Sequence, residues 1–292
     1  MPWPRRGVPR IRLAGRGGTR MADLIPPDFG APDRAALAGF VLAWLGYGPF
    51  IQRLRSPRGT AARLRDIRRV WMHTMLGRDN RITDASLIGH TVHSATFFAS
   101  TAVVALAVPL GLLGDLDRTH AALAGLDVAA KTSRATVEAK LLLLAFVLAH
   151  TFLKLSWSLR QLNYCIALIG AAPPKPPPER GAVVADRIAE VLSLALGSFN
   201  AGIRGYYFAL AVLAWLLGPG PFALVTTGII AMLLWRQFGS ETAHAIRLGH
   251  AASAAGDSDA AGGAGSDLGA SARAGAEPAA QPPHGLRRPG AA

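Results

Sequence analysis

Polar and ionisable side chains recur within stretches of the chain that are otherwise apolar, and their types could support chemistry. The clearest example is KLLLLAFVLAHTFLKLSWSLRQLNYC, residues 140–165, where polar groups fall three or four positions apart. Such spacing places them on one face of a helix. We predict that this face points into protein, because polar groups inside a membrane need partners. Its members are His150, Lys154, Ser158, Gln161 and Cys165.

Two other segments carry polar groups toward the same side of the predicted membrane. RDNRITDAS, residues 78–86, precedes an apolar stretch and contains Asp84, a candidate partner for an arginine or for Lys154. Farther along the chain, Asn200 and Arg204 lie at the start of another apolar stretch. We therefore predict that helices bring these groups together near the cytoplasmic face. The candidate polar cluster comprises Asp84, His93, His150, Lys154, Arg160, Asn163, Asn200 and Arg204.

This cluster admits a structural and a functional interpretation. The structural one treats its members as interfacial anchors and interhelical hydrogen bonds, each worth about 0.6–2 kcal/mol, and we favour it. The functional one is a binding or catalytic site, because ionisable groups within a membrane often mark one. In a transporter or channel, His93, His150, Lys154 and Arg204 would line the path.

The sequence offers little support for metal binding or enzymatic catalysis. His90 and His93, with His150, are three possible metal ligands, but histidines without further ligand signals more often serve packing or hydrogen bonding. The chain has no glycine-rich phosphate loop, no H-E-x-x-H and no G-x-S-x-G. Its single cysteine, Cys165, allows no internal disulfide and no cysteine zinc cluster. We predict no catalytic residue, no metal and no cofactor.

The apolar residues occur in long blocks, which indicates an all-α membrane protein. The chain of 292 residues is 51% hydrophobic and 17% charged. A bilayer core of about 30 Å requires roughly 20 helical residues, fewer when charged ends reach the headgroups. We predict a bundle of five transmembrane spans, or four if the last two do not form a hairpin. The blocks are residues 35–51, 85–113, 137–153, 205–217 and 221–235.

The distribution of positive charge predicts the orientation of these spans. The loop between the first two spans carries seven arginines within residues 53–69, and the loop after the second span mixes both signs, so the first loop is expected in the cytoplasm. This places the N-terminus outside and the C-terminus in the cytoplasm of a bacterial inner membrane. The net charge of +13 could indicate a protein that binds nucleic acid. The arginines are concentrated in a loop between spans, however, so we interpret them as the charge that orients the protein in the membrane and predict no nucleic-acid partner. We predict that the basic loop lies against anionic lipid of the bilayer.

The predicted domain boundaries follow from composition. Residues 1–34 are expected to be a disordered extension, and Met21 is the preferred start because six arginines before it conflict with an outside N-terminus. Residues 35–248 form the transmembrane domain, interrupted by the proline run PPKPPP and the tight turn GPGP. Residues 249–292, rich in Ala and Gly, are expected to be a disordered tail.

Two helix-packing predictions accompany this topology. Lys140 and Lys154 are expected to bracket the third span and to reach opposite headgroup layers. Lys154 is expected to reach its layer less easily, because helical side chains lean toward the helix N-terminus and Lys154 must bend the other way. A row of small residues spaced four apart is expected to let two helix backbones approach closely. The row consists of Ser193, Gly197, Ala201, Gly205 and Ala209.

Three segments together resemble a known family. They are RDNRITDASLIGHTVHSATFFASTA, KLSWSLRQLNYCIALIGAAP and NAGIRGYYFALAVLAW, in that order. The chain resembles the bacterial membrane proteins called domain of unknown function family 599, from about Gly39 to about Ser240. The resemblance implies a multi-span inner-membrane protein without an assigned activity, so it identifies no catalytic residue. We predict a structural or regulatory membrane component with a polar site at its cytoplasmic face, the alternative being a small-solute transporter or channel.

Overall fold

The computed structural model describes residues 28–53, 60–125 and 132–238. Within these ranges every regular element is an α-helix, which confirms the predicted all-α class. The helices are α1 (Ala31–Arg53), α2 (Thr60–Gly77), α3 (Ile82–Gly114), α4 (Leu116–Ala124), α5 (Arg134–Ala171), α6 (Pro178–Trp215) and α7 (Pro219–Phe238). The predicted tail and the first 27 residues, including Met21, lie outside the described residues.

Three helices of the described chain, α3, α5 and α7, are long and apolar enough to cross a membrane. The remaining two predicted spans, residues 35–51 and 205–217, fall largely within α1 and α6. Many large apolar side chains are exposed along these helices, such as Val104 on α3 and Leu224 on α7. Exposed apolar surface of this extent is typical of helices that face lipid.

The α5–α6 pair forms the centre of the helical bundle. Helix α3 packs on α5, α7 packs on α6, α1 packs on α7, and α2 packs on α6. Aromatic side chains from α1, α6 and α7 form the core at one end, including Phe40, Phe208, Trp215 and Phe222. Methionine and aliphatic side chains of α2, α3, α5 and α6 form the core at the other end. The two ends of the bundle therefore differ in the side chains that fill their cores.

The helices α5 and α6 end near proline and glycine, as the sequence predicted. Helix α5 ends at Ala171 before the proline run, and α6 begins at Pro178. Proline is tolerated in the first helical turn because the amide hydrogen it lacks has no acceptor there. Gly218, between α6 and α7, has a φ angle of 130° that side chains strongly disfavour. The turn between α6 and α7 therefore ends at Gly218, and the other three residues of GPGP, Pro219, Gly220 and Pro221, form the first turn of α7.

The connection between the first two predicted spans, residues 52–84, contains a helix that the sequence analysis did not assign. Helix α2 occupies much of this segment, and it is amphipathic, with one apolar face and one basic face. Met72, Met75 and Leu76 are buried in the core, whereas most of the arginines are exposed or half-buried. Helix α1 also begins at Ala31, before the predicted domain boundary at residue 35, and the predicted end at residue 248 lies outside the described residues.

The close contact between α5 and α6 follows a different row of small residues from the predicted one. Gly202 packs on Leu155 and Gly205 on Thr151, but Gly197 is exposed. A row of residues spaced four apart winds around a helix, whereas alternating steps of three and four follow a seam between two helices. The contact row is therefore Ala195, Ser198, Gly202, Gly205 and Ala209.

Candidate functional site

Asp84 connects α2 to α3 at the end of the bundle that contains the methionine core. Its carboxyl group is fully buried in the first turn of α3. One oxygen, Oδ1, accepts hydrogen bonds from Trp71 Nε1 at 2.7 Å and from Arg78 Nη1 at 2.6 Å. The other oxygen, Oδ2, has no hydrogen-bond partner in the described residues. Asp84 is therefore paired with α2 and the following turn.

Two other residues of the RDNR segment, Arg81 and Asp79, bind the chain that follows α5 through hydrogen bonds and an ion pair. Arg81 donates to the carbonyl oxygens of Ala172 at 2.8 Å and Pro173 at 2.9 Å, just beyond α5. Cations stabilise helix C-termini, where carbonyl groups lack intrahelical partners. Asp79 pairs with Lys175 at 2.7 Å, and Asn80 Oδ1 accepts a hydrogen bond from the Ile82 amide. The segment thus joins the α2–α3 turn to the α5–α6 connection.

The structure distributes the eight predicted cluster residues over several environments. No hydrogen bond or ion pair joins any two of them in the described chain. Asp84 is buried, whereas His150, Lys154 and Arg204 are half-buried on α5 and α6. The exposed members are His93, Arg160, Asn163 and Asn200. Asp84 therefore has different partners from the Arg204 side of the bundle.

Two of the predicted residues meet aromatic side chains of α1. The His150 ring lies 5.2 Å from the Trp44 ring in an edge-to-face arrangement. The Arg204 guanidinium lies 5.4 Å from the centre of the Tyr47 ring, within the range of a cation–π contact. Trp44 and Tyr47 are three residues apart and share one face of α1. His150 and Arg204 are therefore directed toward the same stretch of α1.

Part of the predicted polar face of α5 is buried against α6. Ser158 and Cys165 are both fully buried, which confirms that these positions point into protein. Ser158 Oγ donates to the Ala195 carbonyl at 2.8 Å, and Ser198 Oγ donates to Gln161 Oε1 at 2.8 Å. These bonds satisfy polar groups that would otherwise be costly away from water.

The opposite end of the bundle contains a second group of charged residues. Lys140 is 98% buried, and its ammonium lies 5.4 Å from the Trp215 ring centre. Asp33 accepts a hydrogen bond from Trp215 Nε1 at 2.8 Å. The structure thus corrects the prediction that Lys140 reaches the headgroups, because its side chain is enclosed between α1 and α6. Lys140 is also more buried than Lys154, the reverse of what the prediction implied.

Asp28 holds the start of the described chain against α5. Its carboxylate accepts hydrogen bonds from the Ser133 amide at 2.7 Å, from the Ser133 hydroxyl and from the Thr136 hydroxyl at 2.8 Å. Burial alone would raise the pKa of Asp28, but the bonds from Ser133 and Thr136 outweigh it and lower the pKa. Asp28 thus anchors the chain beside the N-terminus of α5.

A cleft of about 690 Å³ opens between α2 and α6 and has several charged side chains in its lining. Asp186 accepts from Arg69 at 2.9 Å and contacts His73 at 3.0 Å, and these contacts lower the pKa of its exposed carboxyl group, with the His73 hydrogen bond as the largest cause. Arg68 donates to Ser193 at 3.2 Å on one side of this arrangement. The charged lining residues are Arg65, Asp66, Arg69, Asp186, Arg187 and Glu190. The cleft offers both signs of charge to a bound molecule.

Comparison with known protein families gives one match. The model described as "Protein of unknown function, DUF599" matches residues 35–242. The chain belongs to the DUF599 family. No curated protein and no solved structure matches it. The DUF599 match confirms the predicted resemblance, begins within α1 and extends beyond the end of α7.

Within the DUF599 region, the described residues contain no group of three or more histidine, cysteine or acidic side chains arranged for a metal. His90 and His93 are exposed on α3, while His150 contacts Trp44 of α1. The three histidines considered as metal ligands thus lie in different surroundings.

Sequence reasoning missed several aromatic partners in the DUF599 region. Trp71, Trp44 and Tyr47 each contact a predicted polar residue, yet only their polar partners were assigned to the cluster. The available signal was their amphipathic character, because tryptophan and tyrosine often combine a buried ring with one polar contact. Asp28 and Asp33 were missed because they precede the predicted first span.

Proposed function

We propose that this DUF599 protein is an inner-membrane protein with five spans, an outside N-terminus and a cytoplasmic C-terminus. The three most apolar helices and the helices that contain the other two predicted spans support this arrangement. The arginine-rich α2 region would then lie in the cytoplasm, as positive charge normally does, with its outward arginines near anionic lipid. The buried Lys140 end would lie near the outer surface.

Reporter fusions test this topology. Fusions after Ser56, Pro176 and Ser240 are expected to give cytoplasmic signals, whereas a fusion after Thr119 is expected to give a periplasmic signal. The expected pattern follows from positive charge around the first two junctions and from Arg236 near the third. A periplasmic signal at Ser240 would contradict the five-span arrangement.

We further propose that the protein is a structural or regulatory membrane component that binds a charged partner at its cytoplasmic face. The observation that carries this proposal is the cleft between α2 and α6. Arg69, His73 and Asp186 already interact across it, so both helices contribute charge to one surface. Exposed ion pairs contribute only about 0–1 kcal/mol, so a partner can replace them at little energetic cost.

A photo-crosslinking experiment tests the cytoplasmic partner. A photoreactive residue in place of Val183, an exposed residue in the lining of the cleft, is expected to give a discrete adduct in cells. Arg65→Glu combined with Arg69→Glu is expected to abolish the adduct, because both changes reverse charge at the surface. The same photoreactive residue at Thr119, far along the chain on α4, serves as the control.

The result at Val183 decides this part of the proposal. An adduct that persists after charge reversal in a correctly folded protein would show that the cleft charges do not recognise the partner. The absence of any adduct at Val183 would contradict a cytoplasmic partner at this cleft.

The alternative is a small-solute transporter or channel. His150, Lys154 and Arg204 support it because half-buried cations within apolar helices are uncommon outside functional sites. Exposed His93 lies on α3, away from the α1 contacts of His150 and Arg204. Vesicle uptake that disappears in Lys154→Ala, with expression unchanged, would favour this alternative.

A further inference from the structure

Two of the three acidic residues that line the cleft between α2 and α6 are neutralised by arginines. Asp186 pairs with Arg69 at 2.9 Å, and Glu190 pairs with Arg187 at 3.0 Å. The third acid, Asp66, also has an interaction of its own. The acidic side of the lining is therefore engaged within the chain.

Two other arginines of α2 have no such acidic partner. Arg65 lines the cleft, and Arg68 follows it by about one turn. Among the described residues, no hydrogen bond or ion pair joins either arginine to a carboxylate. Arg68 Nη1 instead donates to the neutral hydroxyl of Ser193, a lining residue of α6, at 3.2 Å. Two positive charges at the cleft thus lack an opposite charge in this part of the chain.

The charges of Arg65 and Arg68 act on each other. Burial is the larger cause that lowers the pKa of Arg68, and the nearby charge of Arg65 lowers the pKa further. Arginine stays protonated at neutral pH in proteins, so two positive charges remain at close range. An anion bound between the two guanidinium groups would offset their repulsion and replace the hydration that Arg68 loses on burial.

Ser193 separates this pair of arginines from the ion pair at Asp186. Seven residues lie between the two positions on α6, which corresponds to about 10 Å of helix. Ser193 Oγ accepts from Arg68, so its own hydroxyl hydrogen can be donated to a ligand. The exposed side chain of Leu194 adds apolar surface to the same end of the cleft. The volume of about 690 Å³ lies within the range of roughly 300–1,000 Å³ that is usual for small-molecule sites.

We propose that Arg65, Arg68 and Ser193 form a binding site for a phosphate-type oxyanion at this end of the cleft. Guanidinium groups match the geometry of phosphate oxygens, and the hydroxyl supplies a further donor. The phosphate belongs either to a lipid headgroup or to a soluble phosphorylated molecule. The inference rests on the proposed function for its cytoplasmic location, and it names the chemical group that the cleft recognises. Binding to the purified protein does not depend on that location.

Binding measurements on the purified full chain, delipidated in a phosphate-free neutral detergent, test the site. Inorganic phosphate is titrated by calorimetry, and added phosphatidylglycerol is followed by native mass spectrometry. Saturable binding of inorganic phosphate without retention of the lipid would identify a soluble ligand. Retention of phosphatidylglycerol without phosphate binding would identify a lipid headgroup, and binding of both probes would show that the site accepts phosphate from either source.

Single substitutions locate the binding on the protein. Arg65→Gln and Arg68→Gln are each expected to weaken binding about tenfold or more, because each removes a charge-assisted hydrogen bond. Arg160→Gln is the matched control, since Arg160 is exposed on α5 and is not part of the cleft lining, and it should bind like the wild type. Arg65→Gln keeps the experiment decisive even if Arg68→Gln does not fold, because Arg65 is exposed and has no hydrogen bond to lose in the described structure.

The results separate this inference from the proposed function. Wild-type protein that binds neither probe, or folded Arg65→Gln protein that binds as tightly as the wild type, would overturn the oxyanion site. If a cellular adduct still formed at Val183, a partner would occupy the cleft without a phosphate group, and only the present inference would fail. Phosphate binding that depends on Arg65, without any adduct at Val183, would support the site and contradict the proposed partner.

Discussion

Asp84→Ala is expected to lower the free energy of unfolding by about 3 kcal/mol, the lower end of the range for breaking a buried charge pair. The substitution leaves Trp71 Nε1 without its acceptor and Arg78 without its carboxylate. The lower end applies because the Arg78 side chain is 45% exposed and can be partly hydrated. Thermal unfolding in detergent and the monodisperse fraction on size exclusion measure the loss.

The same segment provides the control for Asp84. Asp79 pairs with Lys175, but their side chains are 86% and 63% exposed, so Asp79→Ala should cost about 0–1 kcal/mol. Asp84→Asn should fall between the two alanine variants, because an amide oxygen can still accept the Trp71 hydrogen bond. Equal stability of Asp84→Ala and Asp79→Ala would show that the buried contacts do not hold α2 against α3.

Gly205→Ala is expected to destabilise the α5–α6 pair by about 1–3 kcal/mol, the usual range for overpacking a core. A methyl group at this position would overlap Thr151 Oγ1 and lie 3.0 Å from Thr151 Cβ. The helices must move apart or Thr151 must change conformation to accommodate it. Gly205→Leu should be more disruptive and is expected to prevent recovery of folded protein. Thermal unfolding of the purified variants measures the effect.

Gly197 and Thr151 provide the controls for this close contact. Gly197→Ala should cause no loss, because an added Cβ meets nothing within 4 Å. Thr151→Ala should partly rescue Gly205→Ala by removing the overlapping hydroxyl, and a double-mutant cycle would measure that coupling. If Gly197→Ala and Gly205→Ala were equally tolerated, close backbone approach at Gly205 would not stabilise the pair.

Much of the fold could be predicted because it depends on local chemical properties. Long apolar blocks predicted helices, the proline run before Pro178 separated α5 from α6, and Gly218 allowed the following turn. Helix α2 was missed because the seven arginines of residues 53–69 indicated a polar loop. The buried positions of Met72 and Met75 depend on a neighbouring surface that α2 alone does not contain.

The candidate site was less predictable because shared depth does not establish contact. Asp84 and Arg204 both carry charge at helix positions predicted to lie near one interface, yet Asp84 pairs with Trp71 and Arg78 while Arg204 lies over Tyr47. The rotation of each helix decides which neighbour a side chain meets, and apolar composition does not determine that rotation. The aromatic partners from α1 and α2 therefore became evident only in three dimensions.

The sequence by itself determined that this DUF599 chain is helical, that proline and glycine separate α5 from α6 and α6 from α7, and that polar residues repeat along one face of α5. These properties arise from hydrophobicity, backbone stereochemistry and helical periodicity, which act over a few residues. Only the tertiary structure decided that Lys140 is buried beside Trp215 and that Gly205, rather than Gly197, meets α5. The physical reason is that burial and close packing depend on the relative positions and rotations of helices distant in sequence.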